Sequence, residues 1–261
     1  MKNGFHTGYC VLILLTVFAV AGCGGHANST SPVTGSSAPP ASTPPPAAPP
    51  NATTIPDIQK SSGWQNCTAC TGNANAIYSM TQGITSPSLS GSSARFSLQG
   101  GTRPFGAALW FKFLTTDDHS TNFVLDLYFF MENPSAPQAL EFAVVHSAGG
   151  HRYNLATQCD MVNQRAWLVW SPTNQWVSTS VPCVQPPPGT WNHLVWEFEI
   201  DGAGHSIFKA VSLNGNRSEV NMTEPTTSDS GNGVDVSFQA DANRTATPYA
   251  VWLDKISLSW W

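Results

Sequence analysis

Charge is the first thing this sequence is short of. Only 10% of its residues are Asp, Glu, Lys or Arg, sixteen acids against eleven bases, for a net charge of −5. Lys and Arg cluster nowhere, and a nucleic-acid partner needs a basic patch to neutralise phosphates. That class of partner is excluded. Helical periodicity is also missing: between Asp57 and Trp261 no stretch repeats its apolar residues every three to four positions. The chain has no Gly-x-Ser-x-Gly elbow, phosphate loop or dinucleotide fingerprint, so the enzyme classes built on them drop out. His146, His151, His193 and His205 have no His-x-x-x-His spacing, and nothing here requires a cofactor. The apolar run from Tyr9 to Ala21 is too short to span a bilayer.

What is present begins with that run. Preceded by the single cation Lys2, it reads as an export signal. Val20-Ala21-Gly22-Cys23 then resembles the bacterial lipobox, which implies a signal peptide over residues 1–22 and lipidation of Cys23. Gly24 follows the Cys where inner-membrane lipoproteins carry Asp. The expectation is an exported protein, lipid-anchored to the bacterial cell envelope, at the outer membrane where the host has one. From His26 to Pro56 there are nine prolines and no Lys, Arg, Asp or Glu. Such a stretch cannot bury enough apolar surface to offset the entropy of ordering it, so residues 23–56 read as a linker. In polyproline II, at about 3.1 Å per residue, the 31 residues from His26 to Pro56 reach at most on the order of 95 Å. It is a stalk, and the membrane is contacted through the lipid anchor alone.

Residues 57–261 are enough for one β-sandwich and short of two comfortable domains. Four of the six cysteines fall here: Cys67, Cys70, Cys159 and Cys183. In an exported chain they are expected as cystines, and an even count permits three pairings. Proximity in sequence favours Cys67 with Cys70 and Cys159 with Cys183. Closing the second loop restrains the unfolded chain by roughly 3 to 4 kcal/mol in the entropy model. The Asn-, Thr- and Gly-rich surroundings of Cys67-Thr68-Ala69-Cys70 lack the βαβ context of a redox motif. A four-thiolate zinc site would need two close pairs, and Cys159 and Cys183 are far apart.

The clearest pattern runs from Trp191 to Gly215. Leu194, Trp196, Phe198 and Ile200 alternate with Val195, Glu197, Glu199 and Asp201, the period of a half-buried strand. A turn follows at Asp201-Gly202-Ala203-Gly204, and Ile207 to Leu213 returns to close on Asn214-Gly215, a strong hairpin signal. Further strands are expected at 94–98, 107–113, 123–130, 139–146, 152–157, 166–170, 175–178, 234–239 and 249–260. Strands at this spacing without helices between them give an all-β sandwich or barrel.

The Trp191-Asn192-His193 opening, the strand ending in Asp201-Gly202 and the return closing on Asn214-Gly215 resemble the concanavalin A-like lectin/glucanase superfamily, in particular its laminin G-like sandwiches. Val251 to Trp261 resembles the terminal strand of many carbohydrate-binding jelly rolls. The likeness covers roughly residues 61–261. It implies a jelly-roll β-sandwich of two antiparallel sheets, and it is compatible with lectins, enzymes and adhesion modules alike.

Glu197, Glu199 and Asp201 share a strand face, where neighbouring carboxylates lie about 6.5 to 7 Å apart. That overlaps the spacing of inverting glycosidases. In the related glycoside hydrolase family 16 the acids follow Glu-x-Asp-x-Glu, an order absent from Glu197-Phe198-Glu199-Ile200-Asp201. Glu141, within Ala139 to Val145, sits more as that family's catalytic strand does, but Ala143 and Val145 stand where the pattern has Asp and Glu. A lone carboxylate cannot divide the acid and nucleophile roles. Glu141 is therefore read as a hydrogen-bond acceptor for sugar hydroxyls, or as a partner of Arg152 or Tyr153.

Aromatics carry the binding argument. Trp167 and Trp170 precede a Ser171-Pro172-Thr173-Asn174 turn and Trp176 follows it, and indoles stack on the C–H faces of pyranose rings. Strict alternation sends Trp167 and Trp170 to opposite faces. The expected ligand-binding set is Glu141, Tyr153, Gln158, Asp160, Trp167, Trp170 and Trp176. Sandwiches of this superfamily often hold a structural calcium, for which Asp254 is the candidate ligand. The expectation is a non-catalytic domain that holds a polysaccharide or other glycan. A glycoside hydrolase using Glu141, Glu197 or Glu199, and a structural or adhesive surface protein, are the alternatives.

Overall fold

Alternation along each strand decides the architecture. In the computed structural model, residues 47–71, 76–99 and 106–261 are described; the expected signal peptide, Cys23 and the expected linker up to residue 46 lie outside them. The described residues form strands β1 (Thr53–Ile55), β2 (Gln65–Cys67), β3 (Tyr78–Ile84), β4 (Ser93–Leu98), β5 (Ala107–Thr115), β6 (Asn122–Met131), β7 (Pro137–Ala148) and β8 (His151–Asp160). They continue with β9 (Ala166–Ser171), β10 (Gln175–Pro182), β11 (Thr190–Ile200), β12 (His205–Leu213), β13 (Asn216–Pro225), β14 (Thr227–Ser228), β15 (Gly233–Ala242) and β16 (Tyr249–Trp260). Two single 3-10 turns, Ile58–Lys60 and Ala69–Thr71, complete the described elements, with no α-helix among them.

These strands make two antiparallel sheets. The first runs β13-β12-β11-β6-β16-β4-β3, with β1 on β16; the second runs β10-β9-β8-β7-β15-β5-β2, with β14 on β8. The chain crosses repeatedly between sheets, from β4 to β5, β6 to β7, β10 to β11 and β15 to β16, as expected of a jelly-roll sandwich. Between the sheets lies the core. From the first sheet come Phe96, Phe129 and Trp196; from the second, Trp110, Phe142, Trp167 and Phe238. Phe96 meets Trp110 edge-on at 5.2 Å, and Trp167 meets Trp196 in the same manner at 5.4 Å. Edge-to-face packing of this kind adds about 0.5–1.5 kcal/mol per pair beyond area burial.

The Trp191 to Gly215 hairpin forms as the alternation requires, with Leu194, Trp196, Phe198 and Ile200 all buried. Asn214 and Gly215 take positive φ, 52° and 80°, which is the two-residue turn whose twist matches its strands. Their hairpin leads into β13, which the sequence conceals: Asn216 to Pro225 is a polar edge strand with few buried positions. The sandwich also starts earlier than residue 57. Thr53–Ile55, assigned above to the linker, pairs with Leu258–Trp260, and Thr54 Oγ1 lies 2.8 Å from Ser259 Oγ. Two of these three residues are β-branched threonines and the third is isoleucine, which suits them to a strand edge.

Cys67 is bonded to Cys70 and Cys159 to Cys183. The second cystine ties the end of β8 to the segment after β10, across a sequence separation of 24. Replacing Cys159 and Cys183 together by Ala is expected to lower unfolding stability by about 3 kcal/mol, measured by urea denaturation with the first cystine intact.

Candidate functional site

The second sheet turns one face to the core and the other outward, and the outward face carries a cleft. Its origin lies in one cross-strand row: Ala156 on β8 pairs with Ala143 on β7, which pairs with Ser237 on β15. Three small side chains in register leave a hollow. On one side stand Trp170 and Trp176, paired across β9 and β10; on the other stand Leu109 and the 3-10 turn holding Cys70 and Thr71. The volume is about 290 Å³, at the small end for ligand pockets. Glu141, Arg152, Asn154 and Gln239 bring polar groups to its lining. A second hollow of about 80 Å³ shares Arg152, Asn154 and Trp170 with it and continues to Pro172 and Thr226.

Trp170 and Trp176 are half-buried and meet edge-on, ring centroids 5.3 Å apart. Each covers part of the other while leaving indole surface on the cleft. Trp167 points the other way. It is 2% exposed and packs against Phe142 and Trp196, so it belongs to the core and leaves the ligand-binding set. Its place follows from its register opposite Cys159, an inward position.

Two further candidates are corrected. Tyr153 is 2% exposed, on the core side of β8 opposite His146, and its ring faces those of His146 and His151. Asp160 is spent on its own turn: its carboxylate accepts from the backbone N–H groups of Val162, Asn163 and Gln164 and from Gln138 Nε2 at 2.9 to 3.1 Å. Gln158 stands behind the cleft lining, half-buried, and its Nε2 donates to Glu141 Oε1, a lining residue, at 2.8 Å.

Glu141 has neither of the partners the sequence offered. Arg152 lies 3.5 Å from Asp229, and Tyr153 faces inward. Its partner is Asp241, on the adjacent strand β15, a residue sequence reasoning missed. The two carboxyl groups stand close enough to share one donor, Gln158 Nε2, which lies 2.8 Å from Glu141 Oε1. Gln158 also approaches Asp241 Oδ2 at 3.4 Å, and Gln239 Nε2 donates to Asp241 Oδ1 at 3.0 Å. Desolvation and then the Asp241 charge push the Glu141 carboxyl well above the usual range. Desolvation, partly offset by those hydrogen bonds, raises Asp241 to about 6. The signal for Asp241 was present in the alternation of Asp235, Ser237, Gln239 and Asp241 along β15, which puts all four on the outward face.

The remaining acids do other work. Glu197 and Glu199 sit on the first sheet, away from the cleft. Glu197 is 5% exposed and held by Arg217, with Nε at 2.6 Å and Nη2 at 2.9 Å, while Glu199 pairs with Lys209 at 2.8 Å. Asp201 lies beyond the end of β11 and caps its turn through Ala203 N and His205. These partners leave no free acid on β11, so the catalytic candidacy of Glu197 and Glu199 is withdrawn.

Asp254 is not a calcium ligand either. It is fully buried and surrounded by donors: Ser88 and Ser90 hydroxyls, the N–H groups of Leu89, Ser90 and Lys255, and Gln59 Nε2. A cation site is built of oxygens that face the ion; here the hydrogens face the carboxylate. Burial opposes its charge, but the donors from Ser90, Ser88 and Leu89 win and hold Asp254 down at about 2. Among the described residues no cluster of three or more His, Cys, Asp or Glu is arranged to hold a metal.

Fold and cleft together define a jelly-roll β-sandwich with a lined cleft on the outward face of one sheet. No protein-family model and no curated protein sequence matches the chain. Among solved structures it is similar to the cellulose induced protein Cip1, at 14% identity over 78% of this chain and 96% of that one, TM-score 0.49. It is also similar to the family 11 carbohydrate-binding module from Clostridium thermocellum in complex with a β-1,3-1,4-mixed-linked tetrasaccharide, at 14% identity over 79% and 94%, TM-score 0.42. A mutant of the alginate lyase Aly36B in complex with alginate trisaccharide is similar at 11% identity over 80% and 98%, TM-score 0.44. The reading of the site therefore stands on the cleft itself.

Proposed function

We propose that this chain is a cell-envelope lipoprotein whose sandwich domain binds a polysaccharide without cleaving it. Export by residues 1–22, acylation of Cys23 and a proline-rich stalk would present the domain away from the membrane. The observation that carries the binding reading is the pair Trp170 and Trp176 at the rim of a cleft whose lining includes Asn154, Gln239 and Glu141. Indole faces take the C–H faces of a pyranose, and amide and carboxyl groups below take its hydroxyls.

The same geometry speaks against hydrolysis. Glycosidases separate their two carboxyl groups by about 5 to 5.5 Å or about 6.5 to 9.5 Å. Glu141 and Asp241 crowd around the one donor Gln158 Nε2, at 2.8 and 3.4 Å, rather than facing each other across a gap that would take an anomeric carbon or a water. The test is retention of the purified chain by β-glucan, mannan, xylan and polygalacturonate, with reducing ends assayed in the same tubes. Retention without new reducing ends is expected. New ends that vanish in Glu141→Gln would establish a hydrolase instead, and silence in both assays would favour the adhesive reading. Release of the protein from the membrane fraction by Cys23→Ser checks the anchor.

A further inference from the structure

The carboxyl pair that Glu141 brings to the cleft lining is more than a place to accept hydrogen bonds. Glu141, which lines the cleft, and Asp241 come from neighbouring strands, and each is half-buried. The polar groups around them on β8 and β15 are two amide donors, Gln158 and Gln239. Below them the Tyr249 hydroxyl donates to the Asp241 backbone carbonyl at 3.0 Å. Asp160 adds a further negative charge from the end of β8. Arg152, the cation lining the cleft, stands three outward rows along β8 from Gln158, beside Asp229, with Asp235 also within its influence. No described cation neutralises the pair, and two carboxylates in contact cannot both ionise near neutral pH.

We infer that Glu141 and Asp241 hold one proton between them and that the cleft, as a proton-dependent site, takes an uncharged glycan. This rests on the glycan-binding reading above and refines it. A sugar ring lying against Trp170 and Trp176 removes water from the floor. Losing that water costs the doubly ionised pair more than the singly protonated one, so ligand and proton favour each other. The two carboxyls titrate as a pair, and burial raises both of them. Binding is therefore present while the pair keeps its proton and weakens as pH rises through the loss of it. The same charge balance disfavours a uronan: Asp229, Asp235 and the shared charge on Glu141 and Asp241 outnumber Arg152.

The experiment measures the dissociation constant of the purified chain for whichever neutral polysaccharide of the panel it retains, from pH 5 to pH 9, with polygalacturonate alongside. Wild type is expected to weaken at least tenfold across that range and to ignore polygalacturonate throughout. Glu141→Gln, which keeps the shape and has no proton to lose, is expected to lose the pH dependence, its profile flat within about twofold whatever its affinity. A flat wild-type profile, an unchanged slope in Glu141→Gln or retention of polygalacturonate would overturn the inference while leaving the glycan reading in place. Retention of nothing at any pH would overturn the glycan reading itself and this inference with it. Carboxyl carbon-13 NMR of the ligand-free wild type checks the pair independently of folding in the variant: one proton held above pH 6 is expected, and full ionisation of both groups below pH 5 contradicts it.

Discussion

Asp254→Ala lowers the unfolding free energy of the domain by about 4 kcal/mol, or on the order of 10 °C in thermal midpoint for a domain of this size. The magnitude follows from what the carboxylate holds. Gln59 donates to it from the 3-10 turn before β2, while Ser88, Leu89 and Ser90 donate from the loop before β4. Gln59 is itself fully buried and accepts from Ile256 N at 2.9 Å. Removing the acceptor strands several donors at once, and a buried unsatisfied donor costs about 1–3 kcal/mol. Asp118→Ala, at an exposed acid, serves as the control and should cost under about 0.5 kcal/mol. Chemical denaturation of both variants decides it, and a loss below about 1 kcal/mol at Asp254 would contradict the network.

Acid adds a second check on the same residue. The folded-state ionisation of Asp254 lies at about 2, below the usual carboxylate value near 4. Its contribution is fully present above pH 4 and is lost as pH falls through 2. Glu141 and Asp241 have the opposite sign. Their folded-state ionisations are raised, so the folded domain binds protons more tightly than the unfolded chain from about pH 4 upward, and stability declines as pH rises through 6. The thermal midpoint of wild type is expected to peak between those two windows.

Replacing Trp170 and Trp176 together by Ala abolishes glycan retention, with a loss of about thirtyfold or more, the effect of removing a buried aromatic anchor worth about 2 kcal/mol. Folding survives, because both indoles stand on the outward face and the core retains Trp167. Trp167→Ala does the reverse: it opens a cavity against Phe142 and Trp196 and costs about 3–5 kcal/mol of stability. Affinity electrophoresis beside thermal melts separates the two. Equal retention by wild type and the double variant would remove the indoles from the site.

How these residues divide shows what the sequence makes legible. Period-two alternation on β11 announces its buried face, and Asn214-Gly215 announces its hairpin, since both are local chemistry. The opposite orientations of Trp167 and Trp170 are readable in the same manner. Which of the two faces the core is not, because that depends on their sheet packing against β11 and β6. The cleft is less legible still. It depends on β7 pairing with β15 across about a hundred residues, which sets Ala143 beside Ser237 and Glu141 beside Gln239 and near Asp241. Ala143 reads in sequence as the loss of a catalytic acid; in the sheet it is the floor of the hollow. Polar edge strands such as β13 carry no apolar alternation and stay hidden until their partners are known.

The central claim is that the outward face of the second sheet holds the ligand, and the indole N–H resonances test it most directly. Titrating the nitrogen-15-labelled chain with an oligosaccharide of the retained polysaccharide should shift the Trp170 and Trp176 signals and leave Trp191 and Trp252, on the first sheet, where they were. Shifts at Trp191 and Trp252 with Trp170 and Trp176 unmoved would place the ligand on the wrong sheet and contradict the account.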